Sequence, residues 1–243
     1  MKDILNDIVT HTYGLGFLPL VKVTSENGVT TIDSKSDDNA VIMTGKAHNY
    51  VNEFAGVFGM PNLEKLALHL KNPEYKENAK IKVVTANRDG VDVPVSLHFE
   101  NGSGNFKNDY RFMNTALVQE KLKPMKFKGA SWDVEFAPSM AATARMKLQA
   151  QAHSEEKTFQ VKTENGDLIF SFGDASTHSG SFVFEAGVKG VLKHSWSWPI
   201  VQFMSIMNLD GDKIVKISDG GAMMIVVDSG VAEYTYILPS MSK

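Results

Sequence analysis

The spacing of apolar residues changes period several times along this chain, and it changes in the same order twice. Near the start, Ile4, Leu5, Ile8 and Val9 fall on one stripe of a short helix over residues 2–12. From Leu18 the period drops to about two. "LPLVKVT", "VTTIDSK" and "AVIMTGK" read as strands, and Asn27-Gly28 between the first two is a strong hairpin signal. In "HNYVNEFAGVFGMP", Val51, Phe54, Ala55 and Phe58 share a helical face, which predicts a second helix ended by Pro61. "EKLALHL", "AKIKVVTA", "VPVSLHF" and "FKNDYRFMNTAL" then read as strands, with Pro94 marking an edge or a strand start.

The pattern breaks at "VQEKLKPMKFKG", which has four lysines, a proline and no clean period. This segment reads as a connector, residues 118–130, between an N-terminal domain over 1–117 and a C-terminal domain over 131–243. The second half repeats the grammar of the first. "WDVEF" is a strand, and "APSMAATARMKLQAQAH" a helix with Pro138 near its first turn. "KTFQVKT", "DLIFSF" and "GSFVFEAGV" are strands, the first two joined at Asn165-Gly166. "SWSWPIVQFMSIMNL" reads as a helix capped by Ser197 with Pro199 just inside its start. "DKIVKIS", "AMMIVV" and "VAEYTYIL" close the chain as strands. The expected class is α+β: two similar domains, each with two helices on one side and antiparallel sheets on the other.

Composition narrows the function. Net charge is −3, so contact with nucleic acid has to be local rather than spread over the surface. The absence of cysteine excludes disulfides and thiolate metal sites and favours a reducing compartment, here the cytoplasm. "MKDILNDIVTHTYG" lacks the basic start and apolar run of a signal peptide, and no uncharged apolar stretch is long enough to cross a bilayer. No phosphate-cradling glycine loop and no G-x-S-x-G elbow is present. The seven histidines are scattered, none four residues from another, which argues against a zinc site. "NLDGDK" places Asp210 and Asp212 around a glycine like the start of a calcium loop, but no glutamate closes it, and a helix-to-strand turn is the plainer account. Trp196 and Trp198 have the surface to stack on a base or sugar, though core packing explains them more simply. No metal, cofactor or catalytic residue is expected, and a binding or scaffolding role is.

The run from Asp212 to Ser240, "DKIVKISDGGAMMIVVDSGVAEYTYILPS", resembles the last three strands of DNA sliding clamps, which reach an aromatic and then a short apolar stub like Tyr236-Ile237-Leu238-Pro239. "HNYVNEFAGVFGM" resembles the second helix, and "EFAPSMAATARMKLQ" the third, of clamps of the T-even-type bacteriophage branch, whose length this chain shares. The resemblance implies the processivity-clamp fold, shared with proliferating cell nuclear antigen. Such clamps close head to tail as homotrimers, with helices lining the hole and sheets outside. Duplex DNA is threaded without sequence readout, a polymerase C-terminal tail docks on the clamp, an ATP-driven clamp loader opens it, and the clamp itself catalyses nothing.

Carried onto this sequence, the DNA-facing candidates are Lys2 and His11 on the first helix, Arg145 and Lys147 on the third, and Lys193 before the fourth. On the third helix, Ala141, Ala144 and Leu148 read as the core stripe, opposite Thr143, Met146, Lys147 and Ala150; the second helix as read carries no lysine or arginine. The implied polymerase-tail pocket gathers Leu122, Pro124, Met125 and Phe127 with Tyr236, Leu238 and Pro239. The strand after Asn105 and that from Phe182 to Val188 are the implied subunit edges. The competing readings are a β-rich phage tail or baseplate component and an enzyme whose site is assembled only in space.

Overall fold

A computed structural model describes residues 1–88, 90–123, 129–176 and 178–241. The chain divides into two compact units that do not follow the sequence in simple halves. Unit 1 is Met1–Lys126 with Asp228–Tyr234; unit 2 is Phe127–Val227 with Thr235–Lys243. The late segment in unit 1 is the turn leading into the last strand, β15 (Ala232–Pro239), whose first three residues belong to unit 1 and the rest to unit 2.

Unit 1 opens with helix α1 (Lys2–His11), then strands β1 (Val21–Glu26), β2 (Val29–Lys35) and β3 (Ile42–Ala47). Asn27 and Gly28 both take positive φ, 53° and 76°, as the two-residue hairpin between β1 and β2 demands. Strand β4 (Gly56–Met60) pairs antiparallel with β1, giving the order β4-β1-β2-β3 with the start of β15 beside β3. Helix α2 (Leu63–Lys71) packs on α1. Strands β5 (Lys80–Arg88), β6 (Val91–Glu100) and β7 (Lys107–Arg111) form a separate antiparallel sheet in that order. A short helix, α3 (Thr115–Lys121), is capped by the Asn114 side chain and packs on β4.

Unit 2 runs β8 (Val134–Phe136), α4 (Met140–Ala152), β9 (Thr158–Glu164), β10 (Asp167–Phe172), β11 (Gly180–Glu185), β12 (Trp196–Pro199), α5 (Ile200–Met207), β13 (Asp212–Ser218) and β14 (Ala222–Asp228). One antiparallel sheet has the order β11-β10-β9-β12; in the other, β15, β14, β13 and β8 lie side by side. Helices α4 and α5 pack together. The core is aromatic: Phe159 lies 4.9 Å from the rings of both Phe170 and Phe203, and Phe170 stacks on Phe184 at 4.2 Å. Strands β7 and β11, where the expected subunit edges fall, each end a sheet.

Four expected elements are different in the structure. The predicted helix around Phe54 is a single 3-10 turn, Asn52–Phe54, followed by strand β4. Gly56 sits at φ 109°, and a Cβ on Gly59 would come within 2.8 Å of Val118 Cγ2, so Gly56 serves a backbone conformation outside the helix, Gly59 serves close packing, and neither favours helix. The second helix is instead "LEKLALHLK", predicted as a strand. Leu66, Leu68 and Leu70 alternate, but the buried set is Leu63, Leu66, Ala67 and Leu70, a helical stripe, while Leu68 is 63% exposed. In unit 2, Ser197 is not a helix cap: Trp196–Pro199 is an edge strand paired to β9, and Pro199 is itself the residue preceding α5. The expected strand over residues 106–117 also stops at Arg111, and α3 takes up the first residues of the expected connector.

Candidate nucleic-acid face and partner groove

In each unit two helices lie together, so the charge on their exposed sides determines what that face can bind. On α1 the exposed residues are Asp3, Asn6 and Thr10, which are not basic. Lys2 is half-buried and its ammonium donates to the Tyr75 carbonyl at 2.8 Å. His11, expected to face DNA, is 3% exposed: its ring stacks on Tyr234 at 4.2 Å, and its Nδ1 lies 2.9 Å from the Asp7 carbonyl. It belongs to the core of unit 1, because the last turn of α1 points inward there.

Helix α2 supplies what the strand reading concealed. Lys65 and Lys71 are exposed on it, and neither has an ion-pair partner among the described residues. His69 adds no charge to that face: burial first, then the nearby Lys65 ammonium, holds its imidazole below the usual value. The missed signal was a helical stripe that begins at Leu63, one residue before the window read as a strand.

On α4 the buried residues are Ala142 and Met146, a stripe rotated from the expected one, and Ala141, Ala144 and Leu148 are exposed. The Ser139 side chain accepts from the Ala142 N–H and sets the start of the helix. Arg145 and Lys147 both stand on the exposed side. Lys193 is exposed too, in the loop before β12, where its N–H donates to Asp219 Oδ1 at 2.7 Å. Trp198 is fully buried with its Nε1 donating to the Leu238 carbonyl, and Trp196 Nε1 donates to the Asp219 carbonyl, so both indole N–H groups are used internally. In the Asp210-Gly211-Asp212 turn, the Lys213 ammonium donates to the carbonyls of Leu209 and Gly211.

The expected tail pocket is distributed otherwise. Tyr236 and Leu238 are completely buried in unit 2 and present no side-chain surface, whereas Pro239 is exposed. Pro124, Met125 and Phe127 lie outside the described residues. Leu122, in unit 1, is nearly buried and lines two cavities. One, of about 140 Å³, is formed with Ile42, Met43 and Thr44 of β3 and the cations of Lys22, Lys35 and Lys123. Lys22 is neutralised by Asp33 at 2.8 Å, and Lys35 and Lys123 leave the groove basic. The other, of about 400 Å³, has Pro19, Leu20, Pro61 and Met113 as its apolar wall. In the larger cavity Asp37 stands beside Lys35 and Lys121, so the two rims together are net basic, and apolar walls with such rims suit an acidic peptide carrying an apolar anchor.

Paired helices and antiparallel sheets, set out twice in about 240 residues, define the DNA-clamp fold. The chain is similar over nearly its whole length to PCNA from Thermococcus kodakaraensis, with a TM-score of 0.67 and 9% identity, covering 99% of this chain and 96% of that one. It is similar also to A. fulgidus PCNA solved with the C-terminal region of FEN-1 bound: TM-score 0.65, 12% identity, covering 100% and 96%. No protein-family model and no curated protein sequence matches the chain. Among the described residues no helix is long and apolar enough to cross a membrane, and no three His, Cys, Asp or Glu side chains are grouped to hold a metal ion.

Proposed function

We propose that this protein is a sliding clamp, a ring that encircles duplex DNA without reading its sequence and tethers a replicative DNA polymerase. The observation that carries the reading is the end-to-end correspondence of both units with PCNA at negligible sequence identity. In this reading the exposed sides of the paired helices face DNA, with Lys65, Lys71, Arg145 and Lys147 attracting phosphates through counterion release. Four scattered cations suit sliding, since a dense basic surface would hold one position. The ring is a head-to-tail homotrimer closed by β7 of one copy against β11 of the next, a heterologous contact that closes by rotation. An ATP-driven loader places it on DNA, and the clamp itself carries no catalytic residue.

The partner groove follows from the second likeness. A. fulgidus PCNA takes up the C-terminal region of FEN-1. By that analogy the cavities beside Leu122 receive a polymerase C-terminal tail, an apolar anchor in the wall of Met43 and Met113 and acidic residues toward Lys35 and Lys123. We assign the clamp to the T-even-type bacteriophage branch, working in the host cytoplasm, on the two-unit length and the C-terminal run. The fold likeness favours this over a tail or baseplate component.

The test is mass and topology together. Light scattering should find three copies of the 26.8 kDa chain, about 80 kDa. Protein loaded on nicked circular DNA should stay bound and should run off once the circle is cut. A monomer in solution, or equal loss from circles and linear molecules, would overturn the reading.

A further inference from the structure

The chain has 25 basic residues, and only three are arginines: Arg88, Arg111 and Arg145. Two of the three line one cavity. Arg88 ends β5 and Arg111 ends β7, the strands on either side of β6, and both contribute to a space of about 330 Å³ inside unit 1. Val57, Val95 and Phe112 supply apolar wall; Asn114 and Thr115 supply the remaining polar groups.

The two arginines and Asn114 have donors to offer an anion, while the Thr115 hydrogen is used internally. No carboxylate is among the described lining residues. Neither guanidinium has an ion-pair partner among the described residues. The Asn114 Oδ1 already accepts from the Leu117 N–H at 2.9 Å, so its amide N–H groups are what that side chain has to offer. The Thr115 hydroxyl donates to the Val57 carbonyl at 2.6 Å. Arginine differs from the lysine used elsewhere in this chain by its planar fork, which meets two oxygens of one oxyanion at once, and its charge is permanent. Two such forks carry two positive charges, which a phosphate dianion balances and a single carboxylate does not.

We propose that this cavity binds a phosphate group, with Arg88 and Arg111 as the paired clamp and the Asn114 amide as a further donor. The site is separate from the helical face and from the groove beside Leu122.

The experiment titrates the full chain at low salt with inorganic phosphate and, separately, with adenosine 5′-monophosphate, following arginine Nε–H resonances and heat. Saturable binding that shifts two arginine signals is expected. Arg88→Gln and Arg111→Gln should each weaken it about tenfold or more, the scale of removing one charged hydrogen-bond pair. Arg111→Lys should recover little, because charge returns without the fork. Lys189→Gln, an exposed cation of unit 2 away from the helical face, should change nothing. Tighter binding of the nucleotide than of phosphate would show that the group arrives on a nucleotide; equal binding would show that phosphate alone is the ligand. Acetate binding as well as phosphate, binding indifferent to both Gln substitutions, or no saturable shift would overturn the proposal. Both arginines are exposed, so the variants keep the fold.

Discussion

The hydroxyl of Tyr234 donates to the carboxylate of Asp7 at 2.7 Å, although 227 positions separate them in sequence. Ser229 Oγ reaches the same oxygen at 3.1 Å, and the Tyr234 ring stacks on His11, one turn after Asp7 on α1. This buried group ties the first helix to the turn before the last strand and explains why that turn belongs to unit 1. Tyr234→Phe keeps the stacked ring and removes the donor to a buried carboxylate. It should cost about 1–3 kcal/mol in urea unfolding. Gly45 lies under the same ring, where a Cβ would approach Tyr234 Cδ1 and Cε1 at 2.8 Å. Gly45→Ala should therefore displace the ring and reproduce much of the loss.

The C-terminal strand makes a prediction opposite to the one its apolar stub suggests. Tyr236 and Leu238 have no exposed side-chain surface. Leu238→Ala should act on stability, lowering it by about 2–5 kcal/mol as buried leucine truncations do. Thermal unfolding checks this. An unchanged melting temperature with weakened peptide binding would return the residue to the docking surface.

The groove beside Leu122 is the better target for binding. Lys35→Glu and Lys123→Glu place like charge against an acidic tail and should weaken a polymerase-tail peptide severalfold, mainly through slower association, with a reduced salt dependence. Fluorescence anisotropy measures both.

On the helical face, Lys65→Glu with Lys71→Glu, and Arg145→Glu with Lys147→Glu, should each shorten retention on circular DNA while the mass in solution stays the same. The slope of log affinity against log salt should fall by about 0.9 for each phosphate that is no longer neutralised. Lys2→Glu should have a smaller effect on DNA, since its ammonium is already engaged with the Tyr75 carbonyl.

Acid should loosen the three-stranded sheet at one identified point. Lys107 and Lys80 hold the Glu100 carboxylate at 2.9 and 3.0 Å, lowering its pKa from an ordinary 4.5 to about 2. The unfolded chain takes up this proton at higher pH than the folded one. The contribution is therefore complete above about 4.5 and lost as pH falls toward 2. The stability difference between the wild type and Glu100→Gln should narrow over that interval and stay level above it.

Much of this fold was legible because local rules and tertiary needs agree over most of the chain. Asn27-Gly28 and Asn165-Gly166 turn where hairpins require positive φ, and the last three strands lie where alternation puts them. The misread segments are those in which two periods fit one string. "EFAGVFGM" carries a helical spacing, yet its glycines admit the close approach of Val118 and Met113 that only an extended strand against β1 permits. "LEKLALHL" alternates, yet Leu63 completes a helical stripe that α1 covers. For α4, an alanine-rich sequence has too little contrast between faces to reveal which one is buried, and the neighbouring elements decide it.

The sequence by itself determined the class of the chain: helices and antiparallel strands repeated in two parts, no thiol chemistry, and only local positive charge, because period, turn residues and composition are local properties. Tertiary structure alone decided which faces are available. It took His11, Tyr236 and Leu238 into the core, brought Lys65 and Lys71 to the surface, joined Asp7 to Tyr234, and set Arg88 and Arg111 around one cavity. Burial and proximity between distant residues depend on how elements pack, and no string of neighbours encodes that directly.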